Sequence, residues 1–455
     1  MIGARSSMAV AVHPTDGHGR SDGLGHAPSQ EKSSVGSGSD VIPKMRSWFR
    51  AMFPPRSQTA VLIAVGLLGL LARFWLVTQS LGSNDIVFWK EFGAEIDLHR
   101  LGFTYDSDPR FNHPPLMALL VRLVYVAAVK TGMRFEVLFK TPQLLADALV
   151  AMLLYRMWRR RSARYAALAM ALFCWNPASF LISAYHGNTD PLCVSLALAA
   201  VLAVDSESPL LAGLALGASI NVKLIPVLLI PVLYSCIGTW RRAARFTFGL
   251  SFGVLPFVPV VVWHWQGFFA HALSYRGCLY DWWGITALLD ALTLNQNVRE
   301  VARQLHDFWK QNGSSFVLLA PLLLGAVNLA RKRCWSAREL GACTFCAFLV
   351  LTPGFGAQYV VYPVALLFAA HLGRALAFSS AVGLYVFVIY FSLWTHSQPY
   401  FSDFRFGPTF GGEAVGYLAW MVLVRTVIDL LRAKRRPPAL TPQTSLLSSA
   451  TAPNA

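Results

Sequence analysis

The chain has 455 residues, of which 55% are hydrophobic and only 14% are charged, and its formal net charge is +16. A soluble domain carries about a quarter charged residues, so this composition excludes an ordinary soluble protein and predicts helices that face lipid. The densest basic runs flank apolar segments of spanning length, which is the positive-inside pattern of membrane proteins and not that of a nucleic-acid-binding surface.

Composition divides the chain into three regions. Residues 1–42 are rich in Gly, Ser and His, and we predict a disordered cytoplasmic tail there. This tail does not resemble a signal peptide, because the first apolar stretch begins only near Thr59. Residues 43–432 are predicted to form one all-α, polytopic transmembrane domain with about 11–13 membrane helices. Residues 433–455 are predicted to be a basic cytoplasmic tail.

The first predicted span, Thr59 to Leu81, determines the sidedness of the rest. Its basic N-terminal flank stays in the cytoplasm, so residues 82–134 form a first large outer loop. Within this loop, residues 114–130 are apolar but carry Arg122. Counting them as a span would put the basic run from Arg156 to Arg161 outside. We therefore predict an amphipathic helix that lies along the outer interface.

The later segments are assigned by letting consecutive spans cross the membrane in opposite directions. Both flanks of residues 210–236 are assigned to the cytoplasmic side, and polar or proline residues interrupt the middle of this segment, which indicates two short helices in a re-entrant or hairpin pair. A second large outer loop, residues 265–312, is predicted to hold an amphipathic stretch at residues 298–309. The remaining predicted spans are residues 137–155, 165–183, 191–204, 246–263, 316–329, 340–352, 359–372, 376–395 and 414–431.

Two acidic motifs lie in the first outer loop. Asn84-Asp85 follows the first span directly, at the depth where a lipid headgroup and a water-borne acceptor meet. Asp85 is therefore a candidate general base, and the simpler interpretation is a solvated loop acid. Asp106 and Asp108 are candidate ligands for a divalent metal, although such pairs are common in loops. No other cofactor is predicted, and the seven cysteines are expected to be small buried side chains.

Two turns on the outer side carry histidines. His113 precedes paired prolines that lead into the interfacial helix, where the alternative to a site is a rigid turn. The tight turn from Tyr185 to Asp190 contains His186. A turn needs Gly, Asn, Asp and Pro in any case, but that requirement does not account for Tyr185 or His186.

Three further residues are candidates for substrate binding. Lys223 lies within an apolar segment, where it either contacts a substrate or caps the carbonyls freed by the helix break. Arg276 among aromatic residues suits a phosphate or a sugar ring, or else belongs to an interfacial aromatic belt. Gln358 follows a Pro-Gly-Phe-Gly segment, which lets the backbone turn at membrane depth where it lines a cavity.

The order of these motifs resembles the GT-C superfamily of multi-spanning glycosyltransferases, which take a sugar from a polyprenyl-phosphate carrier on the non-cytoplasmic face. The closest types are bacterial polyprenyl-phosphate-mannose-dependent and dolichyl-phosphate-glucose-dependent transferases. The resemblance covers about residues 59–430. The motifs are an Asp after the first span, Pro-Pro-Leu at 114–116, Trp-Asn-Pro at 175–177 with the His-Gly turn, the helical Lys followed by Pro, and Pro-Gly-Phe-Gly-Ala-Gln-Tyr at 353–359.

The resemblance implies roles for these residues. Asp85 is implied to be the catalytic base of an inverting hexose transfer, with mannose as the favoured sugar. Lys223 or Arg276 is implied to stabilise the leaving phosphate. The chain has Asn-Asp and not two acids at 84–85, which leaves the use of a metal open. The substrate-binding candidates are Asn84, His113, Tyr185, His186, Asp190, Lys223, Arg276 and Gln358.

The implied partners are a polyprenyl-phosphate sugar donor, a glycan, lipid or polymer acceptor, and membrane lipids, with no nucleic acid. The implied location is the inner membrane of a bacterium or the endoplasmic reticulum of a eukaryote, with the active site on the non-cytoplasmic face. The alternative is a secondary transporter or flippase of a lipid-linked or polar solute. Transporters usually place ionisable residues near the bilayer midplane, often in inverted repeats, whereas these candidates lie on one side and no repeat is visible.

Overall fold

The computed structural model describes residues 55–275, 282–394, 401–402 and 410–432. The predicted tails, residues 1–42 and 433–455, and Arg276 of the second outer loop lie outside the described residues. The described part of the chain is almost entirely helical, with two strands of two residues each, and this confirms the all-α prediction.

The elements, in chain order, are α1 (Pro55–Gln79), β1 (Gly82–Ser83), α2 (Asn84–Ser107), α3 (Pro115–Thr131), α4 (Phe135–Arg159), α5 (Ala163–Cys174), α6 (Pro177–Phe180) with a π-helical turn (Leu181–His186), α7 (Asp190–Asp205), α8 (Pro209–Val222), a 3₁₀ turn (Ile225–Leu228), α9 (Leu229–Cys236), α10 (Trp240–Gly253), α11 (Phe257–Trp263), α12 (Trp265–Phe268) with a π-helical turn (Phe269–Leu273), α13 (Gly284–Leu292), α14 (Arg299–Ala330), α15 (Ala337–Leu351), a 3₁₀ turn (Ala357–Val360), α16 (Val361–Ala370), α17 (Leu372–Trp394), β2 (Phe401–Ser402) and α18 (Phe410–Arg432).

Helices of spanning length confirm the polytopic membrane architecture. Within the described residues, five helices are long and apolar enough to cross a membrane, and the number rises to seven if each of two bent pairs is one span. Three shorter apolar helices of 10–17 residues accompany them. The larger number expected from the sequence includes such short segments.

Three predicted spans differ from the structure in shape. The chain bends by 48° between α5 and α6 and by 64° between α10 and α11. At the first bend, Asn176 accepts a hydrogen bond from the backbone of Ser179 at 2.9 Å and so starts a new helix. The amphipathic stretch and the span predicted separately at 298–309 and 316–329 form one continuous helix, α14. Gly313 lies within this helix and packs against Pro353.

The predicted break within residues 210–236 is confirmed. Helix α8 ends at Val222, and Lys223 is extended with φ −157° and ψ 145° before the 3₁₀ turn. Upstream, Gly217 of α8 and Gly253 of α10 face each other so closely that neither has room for a Cβ atom. Small residues allow such close helix approach in membranes. The break thus places the Lys223 side chain at the end of a tightly held helix.

A buried ion pair inside the bundle was missed by the sequence analysis. Arg73 of the first span is fully buried and pairs with Asp147 of α4. Its guanidinium also donates to the carbonyls of Phe173 and Cys174, at 2.9 and 3.0 Å, and to the hydroxyl of Ser179 at 2.8 Å. A buried charge persists only when it is paired and hydrogen-bonded. This network joins α1, α4 and the bend between α5 and α6.

The exit of the first span is anchored by polar contacts. The Nζ atom of Lys140, in α4, donates to the backbone oxygen and the hydroxyl of Ser80 at 2.7 and 2.6 Å. The hydroxyl of Ser83 donates to the backbone oxygen of His186 at 3.0 Å. Strands β1 and β2 pair in parallel, with Gly82 opposite Phe401. The first residues of α2 are therefore fixed against the turn that follows the π-helical segment at 181–186.

Candidate active site

Asp85 lies in the first turn of α2, and one of its carboxylate oxygens is held by two side chains. Oδ2 accepts hydrogen bonds from His186 Nε2 at 3.0 Å and from Asn188 Nδ2 at 2.5 Å. Within the described residues, Oδ1 has no hydrogen-bond partner, and the side chain is 31% exposed. The carboxylate is therefore fixed through one oxygen and open to a ligand through the other.

The surroundings of Asp85 favour its ionised form. Burial alone raises the pKa of this carboxyl group, but the hydrogen bond from His186 and the nearby charge of Lys223 outweigh it and hold the pKa below the usual aspartate value. Asp85 is therefore a carboxylate at neutral pH and can accept a proton from a ligand hydroxyl.

His186 is oriented from its other ring nitrogen. The hydroxyl of Tyr390, in α17, is hydrogen-bonded to Nδ1 of His186, which is 1% exposed. Nε2 of His186 donates to Asp85, so the histidine ring is held from both of its nitrogens. The chain from Tyr390 through His186 to Asp85 sets both the position and the ionisation of the carboxylate.

A second charged pair lies close to this carboxylate. Nζ of Lys223 is 2.9 Å from both carboxylate oxygens of Asp190, which is fully buried at the start of α7. The same ammonium lies 5.2 Å from the ring centre of Tyr359. Lys223 itself is 15% exposed, so Asp190 and Tyr359 hold a cation that still reaches the surface of a cavity.

This cavity has a volume of about 260 Å³ and is lined by both polar and apolar side chains. His113 and Lys223 lie on its polar side, and Val227 and Leu318, which are both exposed, lie on its apolar side. Burial lowers the pKa of His113 to about 3, so its ring is neutral. Its Nδ1 atom has no hydrogen-bond partner among the described residues. The cavity therefore has one polar and one apolar side.

The remaining predicted site residues lie on several different elements. Asn84 precedes Asp85 and is partly exposed. Tyr185 is buried, with its ring 5.3 Å from that of Tyr390. Gln358 is partly exposed in the 3₁₀ turn that also contains Tyr359. The prediction for Arg276 falls outside the described residues, although its neighbour Tyr275 lines the cavity.

The two candidate metal ligands each contact a different basic side chain. Asp106 lies 2.8 Å from Nδ1 of His264, and Asp108 pairs with Arg110 at 2.8 Å. The hydrogen bonds from Arg110 lower the pKa of Asp108. Among the residues that the structure describes, no group of three or more His, Cys, Asp or Glu side chains could hold a metal ion.

Sequence reasoning missed two residues that contact the site. Asn188 was interpreted only as a turn-forming residue, although its side chain donates a hydrogen bond to Asp85. Tyr390 is 204 positions from His186 in the sequence and lies in an apolar helix, so no local pattern indicated its contact with the histidine. A polar side chain in a predicted span was the one available signal.

The pH dependence of catalysis should report the His186 contact. The candidate base, Asp85, is ionised above its folded-state pKa, so the rate should be independent of that group at neutral pH and fall only in acid. Replacing His186→Asn removes a contact that lowers this pKa. The acid limb of kcat/KM should therefore move to higher pH by about one unit or more.

The matched control is His264→Asn, which removes a histidine that contacts a different aspartate, Asp106. Its acid limb should coincide with that of the wild type. An unchanged acid limb in His186→Asn would contradict the assignment of Asp85 as the base that His186 supports.

Comparison with known proteins adds one finding. The profile of glycosyltransferase family 87 matches residues 111–353, which is more than half of the chain. The matched region contains His186, Asn188, Asp190 and Lys223, and Asp85 precedes it. No curated protein matches the sequence.

Proposed function

The chain belongs to glycosyltransferase family 87, and we propose that it transfers a hexose, with mannose favoured, from a polyprenyl-phosphate carrier to an acceptor hydroxyl on the non-cytoplasmic face of a membrane. As a member of a GT-C-type family, the protein is a glycosyltransferase with several membrane-spanning helices. We propose the identity of the donor, of the sugar and of the acceptor, and the roles of the site residues.

One observation carries the proposal: an oriented and partly exposed carboxylate directly follows the first membrane-spanning helix. Asp85 is six positions beyond Gln79, the end of α1. A carboxylate there is at the depth where the sugar of a membrane-anchored donor meets water. His186 and Asn188 leave its Oδ1 atom for a ligand, as a general base requires.

The proposed reaction is a single displacement. Asp85 Oδ1 takes the proton of the acceptor hydroxyl while that oxygen forms a bond to the anomeric carbon of the donor sugar. The bond from the anomeric carbon to the phosphate oxygen breaks, and polyprenyl phosphate leaves with the bonding electrons. Because one nucleophile replaces one leaving group in one step, the anomeric configuration inverts.

In the proposed reaction, a nearby positive charge stabilises the leaving phosphate more than protonation does. Lys223 supplies the cation among the residues that line the described cavity, and His113 lines the same side with a neutral ring. The apolar side chains of the cavity suit the first isoprenyl units of the carrier. This arrangement favours the transferase over the transporter that the sequence left as an alternative.

The proposal requires that the first outer loop and the second outer loop face the same side. Cysteines introduced at Ser107 and at Asn295 should react with a membrane-impermeant thiol reagent added from outside, and one introduced at Ser162 should not. All three positions are exposed in the structure, so the readout depends on sidedness alone. Intact cells or sealed vesicles provide the measurement.

Two controls make the labelling decisive. The unsubstituted protein reports any reaction of its own cysteines, and permeabilised membranes should make Ser162→Cys reactive. Labelling of Ser162→Cys from outside, with Ser107→Cys protected, would overturn the sidedness of every site residue and with it the proposed function.

A further inference from the structure

A large basic cavity lies between helices at the end of the bundle opposite Asp85. Its volume is about 850 Å³, and it is lined by residues of α4, α7, α8 and the start of α15. Lys140 near the Asp85 end of α4 and Arg156 in the cavity are 16 positions apart, which is about 24 Å along a helix. Helix α7 likewise begins at the buried Asp190 and ends at Asp205 in the cavity. The cavity is therefore separate from the proposed active site.

Positive charge dominates the lining of this cavity. Five arginines contribute to it, and the acidic residue among its lining side chains is Asp205. That carboxylate is already occupied, because its Oδ2 accepts from Arg338 at 2.5 Å and its Oδ1 accepts from the backbone of Ala337 at 3.1 Å. The cavity thus has a surplus of uncompensated cations.

Four of the arginines make no ion pair within the described part of the chain: Arg156, Arg159, Arg160 and Arg161. Arg161 instead lies over the ring of Tyr165, at 4.5 Å. The positive-inside rule accounts for basic residues at the end of a span, but it does not require these residues to surround a cavity of this size. Guanidinium groups around a concave surface are suited to phosphate oxygens, which they bind through paired N–H donors.

Apolar side chains form the rest of the cavity wall. Leu153 and Leu202 line it from α4 and α7, and Leu211, which is 60% exposed, lines it from α8. Trp158 is fixed by a hydrogen bond from its ring nitrogen to the carbonyl of Phe368 at 2.9 Å. A ligand that combines a negative headgroup with a hydrocarbon part therefore matches both kinds of lining.

We propose that this cavity binds the phosphate headgroup of an anionic glycerophospholipid, with its acyl chains lying along the lipid-facing surface beside Leu211. Basic cavities between membrane helices on the cytoplasmic side bind anionic headgroups, and the charge pattern of this chain puts the cavity on that side. The inference is independent of the proposed sugar transfer, because the cavity and Asp85 lie at opposite ends of two helices.

Native mass spectrometry of the detergent-purified full chain tests the proposal, with phosphatidylglycerol and phosphatidylcholine of identical acyl chains as probes. The wild type should retain phosphatidylglycerol selectively. Arg156→Gln with Arg160→Gln should weaken this retention by roughly 25-fold, at about fivefold for each arginine. Arg245→Gln, at an exposed arginine outside the cavity, should leave it unchanged.

The following outcomes would contradict the proposal. Equal retention of the two lipids, or equal loss in the control variant, would show only the general attraction of a basic surface. Displacement of phosphatidylglycerol by millimolar inorganic phosphate would identify a site for the free anion. If the double variant does not fold, as judged by circular dichroism, the single Arg160→Gln variant should still lose about fivefold, and undiminished retention there would overturn the assignment.

Discussion

Replacing Asp85→Asn is expected to reduce the turnover of sugar transfer by about 10²–10⁴-fold, the range for a lost general base. The substitution keeps the size of the side chain and much of its hydrogen bonding to His186 and Asn188, but it removes the basicity of Oδ1. Affinity for the lipid donor should change far less, because the prenyl chain and the phosphate do not depend on that carboxylate. Turnover and donor affinity should be measured on the same folded preparation.

Asp106→Asn provides a matched control for this effect. Asp106 is also an aspartate of α2 with a histidine at hydrogen-bonding distance, His264 at 2.8 Å, but within the described residues it makes no hydrogen bond or ion pair with Asp85, His186 or Lys223. Its turnover should stay within a few-fold of the wild type. Near wild-type turnover in Asp85→Asn would refute the assignment, and Asp106, Asp108 and Asp190 would then be the acids to test.

Lys223→Met is expected to have the second-largest effect, and it should act in two ways. The ammonium binds both oxygens of the buried Asp190, so its removal leaves an uncompensated charge and destabilises the fold by about 3–5 kcal/mol. It also removes the cation beside the leaving phosphate. Hydrogen bonds to charged groups contribute about 1.5–3 kcal/mol, so kcat/KM for the donor should fall roughly ten- to hundredfold.

Combining Lys223→Met with Asp190→Asn separates the two effects. The double variant leaves no buried charge unpaired, so its thermal stability should recover much of the loss while its donor kcat/KM stays low. Thermal unfolding and kinetics on the monodisperse fraction are the measurements. If the double variant is stable and uses the donor as well as the wild type does, Lys223 is only a structural cap of the broken helix.

The features that the sequence predicted well are those that a local pattern encodes. The break after Val222 follows from Lys223 and Pro226 within an apolar run, and the structure has it there. A separate helix at 114–130 was also predicted, and α3 spans Pro115–Thr131, with Arg122 on its exposed face paired with Asp97 of α2 at 3.0 Å. The bends within two spans were not predicted, because hydropathy measures how apolar a segment is and not whether it is straight.

The contacts of the site could be anticipated only in part. Asp85 and His186 were both candidates, but their hydrogen bond joins positions 101 apart, and tertiary packing alone decides such pairs. Asn188 looked like an ordinary turn residue, and Tyr390 was one of the chain's 14 tyrosines. The burial of His113 against Trp89, with their ring centres 4.1 Å apart, likewise depends on how α2 folds back on the Pro-Pro turn.

The choice of donor tests the central claim most directly. Purified protein in proteoliposomes, supplied with a lipid extract as acceptor, should be given the same radiolabelled hexose either as a polyprenyl phosphate or as a nucleoside diphosphate sugar. We expect transfer from the polyprenyl phosphate alone, with inverted anomeric configuration in the product and release of polyprenyl phosphate, and we expect Asp85→Asn to abolish most of it. Transfer from the nucleoside diphosphate sugar with none from the polyprenyl phosphate would contradict the account.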